Sequence, residues 1–240
     1  MSRVTSRRDR VPFDSHYYEK LARSGSESES EHVFRDIYRR HHWSGSESAS
    51  GAGASLDQTR ELRRSLPALL SELGVATMLD LPCGDYSWMR TFELPVDRYI
   101  GADLLPEVVD PLAAAFGDDH REFRVLDLTR DPLPPADLLL CRDCLVHLSY
   151  TGIRRALGNA VRSGIPYLLT TTFPRGEGNE DIVTGDWRVI DLERPPFHLP
   201  TPIRILNEGC TEGGGVFADK SLGLWRTEAL RDLPFLMHPA

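Results

Sequence analysis

The sequence predicts an α/β protein: a seven-stranded sheet, five strands parallel and two in a C-terminal hairpin, with helices on both faces. Three observations lead there. Short apolar runs alternate with helical patterns between residues 75 and 173. Acids recur at the carboxyl ends of those runs, at Asp80, Asp103 and Asp127. Two late strand-like runs, 203–209 and 220–226, flank the Gly-rich TEGGGVFAD as a hairpin would.

Bulk properties suit one such domain with an appendage. The chain has 240 residues, 40% of them hydrophobic, enough for a real core. The formal net charge of −8 argues against DNA or RNA as partner. No stretch approaches the ~18 consecutive apolar residues of a membrane span. The basic MSRVTSRRDRV start lacks an apolar core, so it reads as a frayed arm and not as a signal peptide. Cysteines 83, 141, 144 and 210 are too scattered for a disulfide scaffold; reduced thiols and a cytoplasmic location are expected.

Residues 1–54 read as a separate flexible and helical segment before a domain spanning 55–240. SGSESESE (24–31) and SGSESASGAGAS (44–55) are low-complexity tracts. Between them HVFRDIYRRHHW (32–43) places Val33, Phe34, Ile37 and Tyr38 at helical spacing. That helix could dock on the body, close over a site, or form a homodimer.

Ser55 is expected to cap a helix over 56–73, ended by Gly74 and kinked or broken at Pro67. ATMLDL (76–81), DRYIGADL (97–104), EFRVLDL (122–128), ADLLLC (136–141) and IPYLLTTTF (165–173) are the parallel strands. Helices fill 106–116 and 151–164, while the Pro-rich link between the third and fourth strands has little room for one. The long excursion 174–202 breaks the rhythm and reads as a substrate loop.

In an open parallel sheet, ligands bind at the carboxyl ends of the strands. The first such end is LDLPCGDYSWM (79–89), a nucleotide-type turn with Gly84 as its one glycine. A pyrophosphate needs a glycine-rich turn, so either this turn holds no ligand or its ligand carries no phosphate. This argues against a nicotinamide-dependent oxidoreductase. Asp103 lies about twenty residues on, where a carboxylate can accept from both hydroxyls of a ribose. The density of polar strand ends argues against a non-catalytic interaction protein.

CRDCLVHLS (141–149) begins where the fourth strand ends. If a helical turn starts there, Asp143 and His147 share a face. A neutral His steadied by a carboxylate is a workable general base. In the long loop and hairpin, Thr184, Asp186, Trp187, Arg188, Asn207 and Glu208 mix hydrogen-bonding groups with a flat ring, as sugar sites do.

These motifs resemble class I S-adenosylmethionine (SAM)-dependent methyltransferases over residues 75–227, with LDLPCGDY at the turn, YIGADL at the ribose acid and RVLDL beside the adenine. Pro82 and Tyr86 replace two usual glycines. The resemblance implies a Rossmann-like fold and SAM as cofactor, with Asp80 and Gly84 near its methionine part, Asp103 near the ribose and Asp127 near the adenine. Pro82, Cys83, Trp88, Leu104, Leu128 and Arg142 complete the implied contacts. LDLPCGDYSWM, CRDCLVHLS and TGDWR together are similar to a bacterial group that includes the mycobacterial 1-O-methyltransferase of methylmannose polysaccharide synthesis. That likeness implies O-methylation of a sugar or oligosaccharide, with His147 as base and a magnesium ion (Mg2+) as helper. The alternative is an amine or natural-product acceptor.

Overall fold

The structure, a computed structural model, describes residues 7–25, 30–43 and 47–237. Residues 1–6 of the expected frayed arm, and parts of both low-complexity tracts, lie outside them; Arg7–Arg10 of that arm instead form a 3-10 turn with Arg8 buried. Seven strands form one sheet: β1 (Thr77–Asp80), β2 (Arg98–Asp103), β3 (Arg121–Val125), β4 (Leu138–Cys141), β5 (Tyr167–Thr172), β6 (Arg204–Asn207) and β7 (Ser221–Arg226). Their order is β3-β2-β1-β4-β5-β7-β6. The first five are parallel, while β7 runs antiparallel to both β5 and β6. The chain direction across the sheet reverses between β1 and β4, which opens a crevice at their carboxyl ends.

Strand alternation divides the core in two. Leu79, Ile100, Leu139 and Leu168 face the layer holding Ile153, Ala156 and Leu157 of α5 (Tyr150–Ser163). Met78, Tyr99, Leu138 and Leu140 face the opposite layer, with α3 (Arg60–Leu73) and α4 (Pro106–Phe116). Burial on both sides is why these strands read as continuous apolar runs.

Several boundaries differ from expectation. The helix expected from residue 56 begins at Arg60, because the Gln58 N–H donates to Ser55 Oγ and Thr59 Oγ1 donates to the Ser55 carbonyl in a preceding turn. Pro67 sits inside α3 without ending it. An internal proline costs about 3 kcal/mol. Burying Leu62, Leu66, Leu69 and Leu70, at about 1.5–3 kcal/mol each, outweighs that. The third strand stops at Val125 and not at Leu128, since Asp127 Oδ1 accepts from both Thr129 N and Oγ1 and turns the chain. No helix joins β3 to β4. The link is instead pinned by buried Asn159 of α5, whose Nδ2 donates to the carbonyls of Leu128 (2.9 Å) and Asp131 (2.8 Å).

The N-terminal segment forms α1 (Tyr17–Arg23) and α2 (Ser30–Arg40). Val33 and Ile37 of α2 are buried with Tyr18, next to Phe34 and Trp43. The helix face considered for a homodimer is therefore covered within the chain. Arg35 ties α2 to Glu107 of α4 at 2.7 Å. The loop 174–202 has little regular structure but buries Ile190, Leu192, Phe197 and Leu199. The final short helix, α6 (Pro234–Met237), packs on α5 through Phe235.

Candidate active site

The crevice at the β1–β4 reversal is walled by the turn after β1, by the ends of β2 and β4, and by the N-terminal segment. The turn is fixed by its backbone. Cys83 N–H donates to the Ala102 carbonyl at 2.7 Å, and Gly84 N–H donates to Asp103 Oδ2 at 3.1 Å. Gly84 has φ +54° and Tyr86 φ +57°. A left-handed non-glycine residue costs about 1–2 kcal/mol. Tyr86 offsets this with ring contacts to Tyr99, Phe116 and Phe123, each worth about 0.5–1.5 kcal/mol. That is how a tyrosine replaces a glycine here.

All ten residues expected at the cofactor line this crevice. Asp80, Pro82, Cys83, Gly84 and Trp88 come from β1 and its turn. Asp103, Leu104, Asp127, Leu128 and Arg142 come from the next three strand ends. Leu105, Val108 and Leu126 join Leu104 and Leu128 to make an apolar slot. Burial raises the Asp103 carboxyl to about 6, opposed by the backbone N–H groups of Leu105 and Gly84. Asp80 lies deeper, accepts from the Tyr99 hydroxyl at 2.7 Å, and is pushed up to about 7 by burial. An apolar slot between two strand-end carboxylates suits an uncharged nucleoside, with Asp103 able to accept from ribose hydroxyls.

Beside the slot lies a buried ionic cluster. Arg142 grips Glu208 with Nη2 at 2.7 Å and Nε at 3.3 Å, and donates to the Gly53 carbonyl at 2.8 Å. Lys220 Nζ donates to Asp143 Oδ2 at 2.6 Å. Burial pushes the Asp143 carboxyl up, but Arg142 and Lys220 outweigh it and hold it at about 2. Among the described residues no group of three His, Cys, Asp or Glu side chains could hold a metal ion, so the magnesium expectation has no site there.

The Asp143–His147 pairing expected from their spacing does not form. Asp143 has φ +52°, outside any helix, and a 3-10 turn starts only at Leu145. The helical i, i+4 relationship therefore does not apply, and the Asp143 carboxylate goes to Lys220. The His147 ring instead meets the Asp186 backbone carbonyl through Nδ1 at 3.0 Å. That contact places the proton on Nδ1 and leaves Nε2 as the acceptor. Burial holds the imidazole down at about 4, so it is neutral near pH 7.

Of the six expected substrate contacts, Trp187 lines the crevice; the other five are not among its lining residues. The Asp186 carboxylate accepts from Tyr18 N (2.7 Å), Glu19 N (3.0 Å) and Arg8 Nη2 (3.1 Å), fastening α1 to the domain. Arg188 donates to the carbonyls of Leu145 (2.7 Å) and Leu148 (2.8 Å), bracing the His147 turn. Thr184 Oγ1 accepts from Ser149 N, and Asn207 Nδ2 donates to the Ala218 carbonyl. Glu208 is held by Arg142.

Much of the remaining crevice wall comes from residues that the sequence had not assigned to the site. Val11, Phe13, Phe34 and Trp43 reach it from the N-terminal segment, and Phe217 from the hairpin. Residues 49–54 cross the turn after β1: Asp85 Oδ2 accepts from Ala49 N at 2.9 Å, and Asp85 N–H donates to Ser50 Oγ at 3.3 Å. Their small side chains permit this; a Cβ on Gly53 would lie 3.3 Å from Lys220 Nζ. The available hint was the 32–43 segment, which contains Phe34 and ends at Trp43, and whose helix could close over a site.

No known family model matches the chain, and no curated protein matches it in sequence. Solved structures do. One is human N-acetylserotonin methyltransferase in complex with SAM, with TM-score 0.54 and 18% identity over 83% of this chain and 60% of that one. This chain therefore spans less than two thirds of that protein. Another is the N-methyltransferase NodS from Bradyrhizobium japonicum WM9, with TM-score 0.52 and 17% identity over 70% of this chain and 96% of that one. At such identities the likeness concerns the backbone, and the chain has the Rossmann-like fold of these methyltransferases.

Proposed function

We propose that the protein is a SAM-dependent methyltransferase acting on a hydroxyl of a small acceptor. The observation that carries this reading is the crevice at the sheet reversal, where the Asp103 carboxylate, the Gly84 turn and an apolar slot converge without a phosphate-binding glycine loop. Asp103 would hold the ribose, Leu104, Leu126 and Leu128 the base, and Asp80 and Gly84 would lie at the methionine end. The acidic rim favours a sulfonium, whose charge is positive. When bound, SAM supplies the methyl group as an electrophile.

The chain's own residues supply position and a base. His147 Nε2 accepts the proton of the acceptor hydroxyl. Its Nδ1–H stays on the Asp186 carbonyl, which keeps the ring in the useful tautomer. The negative charge of Asp143 steadies the imidazolium from a distance, opposed by Arg188 and Lys220.

The acceptor class follows from the wall. The polar groups expected to read a sugar rim are engaged within the protein at Asp186, Arg188 and Glu208. Aromatic rings of Phe13, Phe34, Trp43, Trp187 and Phe217 line the same crevice as His147, with Trp43 stacked on it. This favours a hydroxylated acceptor with a flat apolar body, such as a natural-product ring, over the mannoside or oligosaccharide suggested by the sequence motifs.

Calorimetry with S-adenosylhomocysteine (SAH), SAM, NAD and NADP tests the cofactor. Binding of SAH and SAM alone is expected; binding of NAD alone overturns the reading. A labelled methyl donor offered with phenols and with glycosides tests the acceptor. Labelled glycosides and unlabelled phenols would restore the sugar.

A further inference from the structure

Trp43 belongs to the N-terminal segment, yet its indole lies on the imidazole of His147. The ring centroids are 4.2 Å apart and the planes 27° apart. The indole is held from behind. Phe34 of α2 meets it edge-on at 6.2 Å. Gly51, with φ +94°, passes so close that a Cβ there would sit 3.0 Å from Trp43 Cβ. From Gly51 the chain runs on to Gly53, whose carbonyl accepts from Arg142. Both aromatic rings line the same crevice. The indole N–H is buried with no hydrogen-bond partner among the described residues, so Trp43 is not held there by its own polar group.

We infer that Trp43 is a positioning residue for His147: its ring seals one face of the imidazole against water, so that the N-terminal segment completes the basic centre of the domain. This deepens the proposed function and rests on His147 being the base. The rest of the imidazole's surroundings are fixed by the body of the protein. The Asp186 carbonyl takes Nδ1. The charged groups acting on the ring are Asp143, Arg188 and Lys220, from the turn after β4, the long loop and the residue preceding β7. The ring contact to the imidazole comes from Trp43 of the N-terminal segment. Removing its ring admits water to the imidazole face, and water favours the charged form.

The test needs no substrate. The protein is labelled at histidine Cε1, and His147 is assigned by comparison with H147Q. Its titration is followed by NMR from about pH 8 to about pH 5.5, while circular dichroism reports the fold. In wild type and in W43F, which keeps a stackable ring, His147 is expected to stay neutral over this range. In W43A it is expected to titrate near the ordinary imidazole value of about 6.5. W43L keeps an apolar plug without a ring and is expected to shift in the same direction, by less. An unchanged His147 in folded W43A overturns the inference, as does an unchanged one in W43L should W43A not fold. An ordinary titration in the wild type overturns it as well. SAH calorimetry on the same proteins separates the two readings. A chain that fails to bind SAH loses the methyltransferase assignment, whereas the titration decides Trp43 either way.

Discussion

The carboxylate of Asp103 accepts the Gly84 N–H at 3.1 Å, so the acid that ends β2 fixes the turn that ends β1. Its other oxygen accepts from Leu105 N at 3.4 Å. A carboxylate has about four acceptor positions, which leaves capacity for a diol. Replacing Asp103 by alanine should weaken SAH binding about 10-fold to 100-fold, the worth of a hydrogen bond to a charged group. Isothermal calorimetry reads this directly, and wild-type affinity in D103A would remove Asp103 from the nucleoside site.

Gly84 offers a sharper geometric test. It lies at φ +54°, and a Cβ there would come within 2.2 Å of Ser50 Oγ. Gly84→Ala should cost about 1 kcal/mol from the backbone alone, and should displace residues 49–54. SAH affinity is expected to fall, and Ser50→Gly in the same chain should recover part of it. Failure of the second change to help would mean that Ser50 does not press on this turn.

His147→Ala should leave SAH affinity intact while lowering methyl transfer to an identified acceptor about 100-fold to 10,000-fold. The imidazole is held at about 4, below its ordinary value, by burial. Protonation of His147 should therefore not reduce turnover until the pH falls below about 5. A rate that collapses already near pH 6.5 in proportion to imidazole protonation would contradict this environment.

Asp80 gives a pH dependence of stability. Burial raises its carboxyl to about 7, with the Tyr99 hydrogen bond and Arg142 opposing. A carboxyl raised on folding holds its proton more tightly in the folded state. Its contribution is complete below about pH 4 and is lost as the pH climbs to about 7. Asp80→Asn keeps an acceptor for the Tyr99 hydroxyl and removes the titration. Urea unfolding should show the stability of wild type relative to D80N dropping by roughly 4 kcal/mol between those limits. Parallel pH profiles for the two proteins would refute the assignment.

Asp186 is the hook that holds the N-terminal segment. Asp186→Ala strips the acceptor from two N–H groups at the start of α1 and from Arg8. A loss of about 2–4 kcal/mol is expected. Hydrogen exchange should quicken over α1 and α2 before the sheet is affected. Unaltered exchange there would show that other contacts suffice.

The sheet and the acid-lined crevice at its strand ends were legible in the chain itself. Short apolar runs such as Leu138–Cys141, bounded by turn residues, fit buried strands covered on both faces, and acids at their ends gather along one edge once those strands lie parallel. This is local chemistry repeated, and spacing alone conveys it. The far wall was not legible, because it depends on contacts between distant segments. Asp186 looked like a sugar ligand until the fold brought it to the start of α1. Asp143 looked like the partner of His147 until its positive φ turned it toward Lys220, a residue 77 positions away. Trp43 ends the 32–43 segment that reads as a helix, and only tertiary packing lays it on His147. A sequence shows which residues can be buried or charged, whereas the packed chain decides which of their polar atoms are already taken.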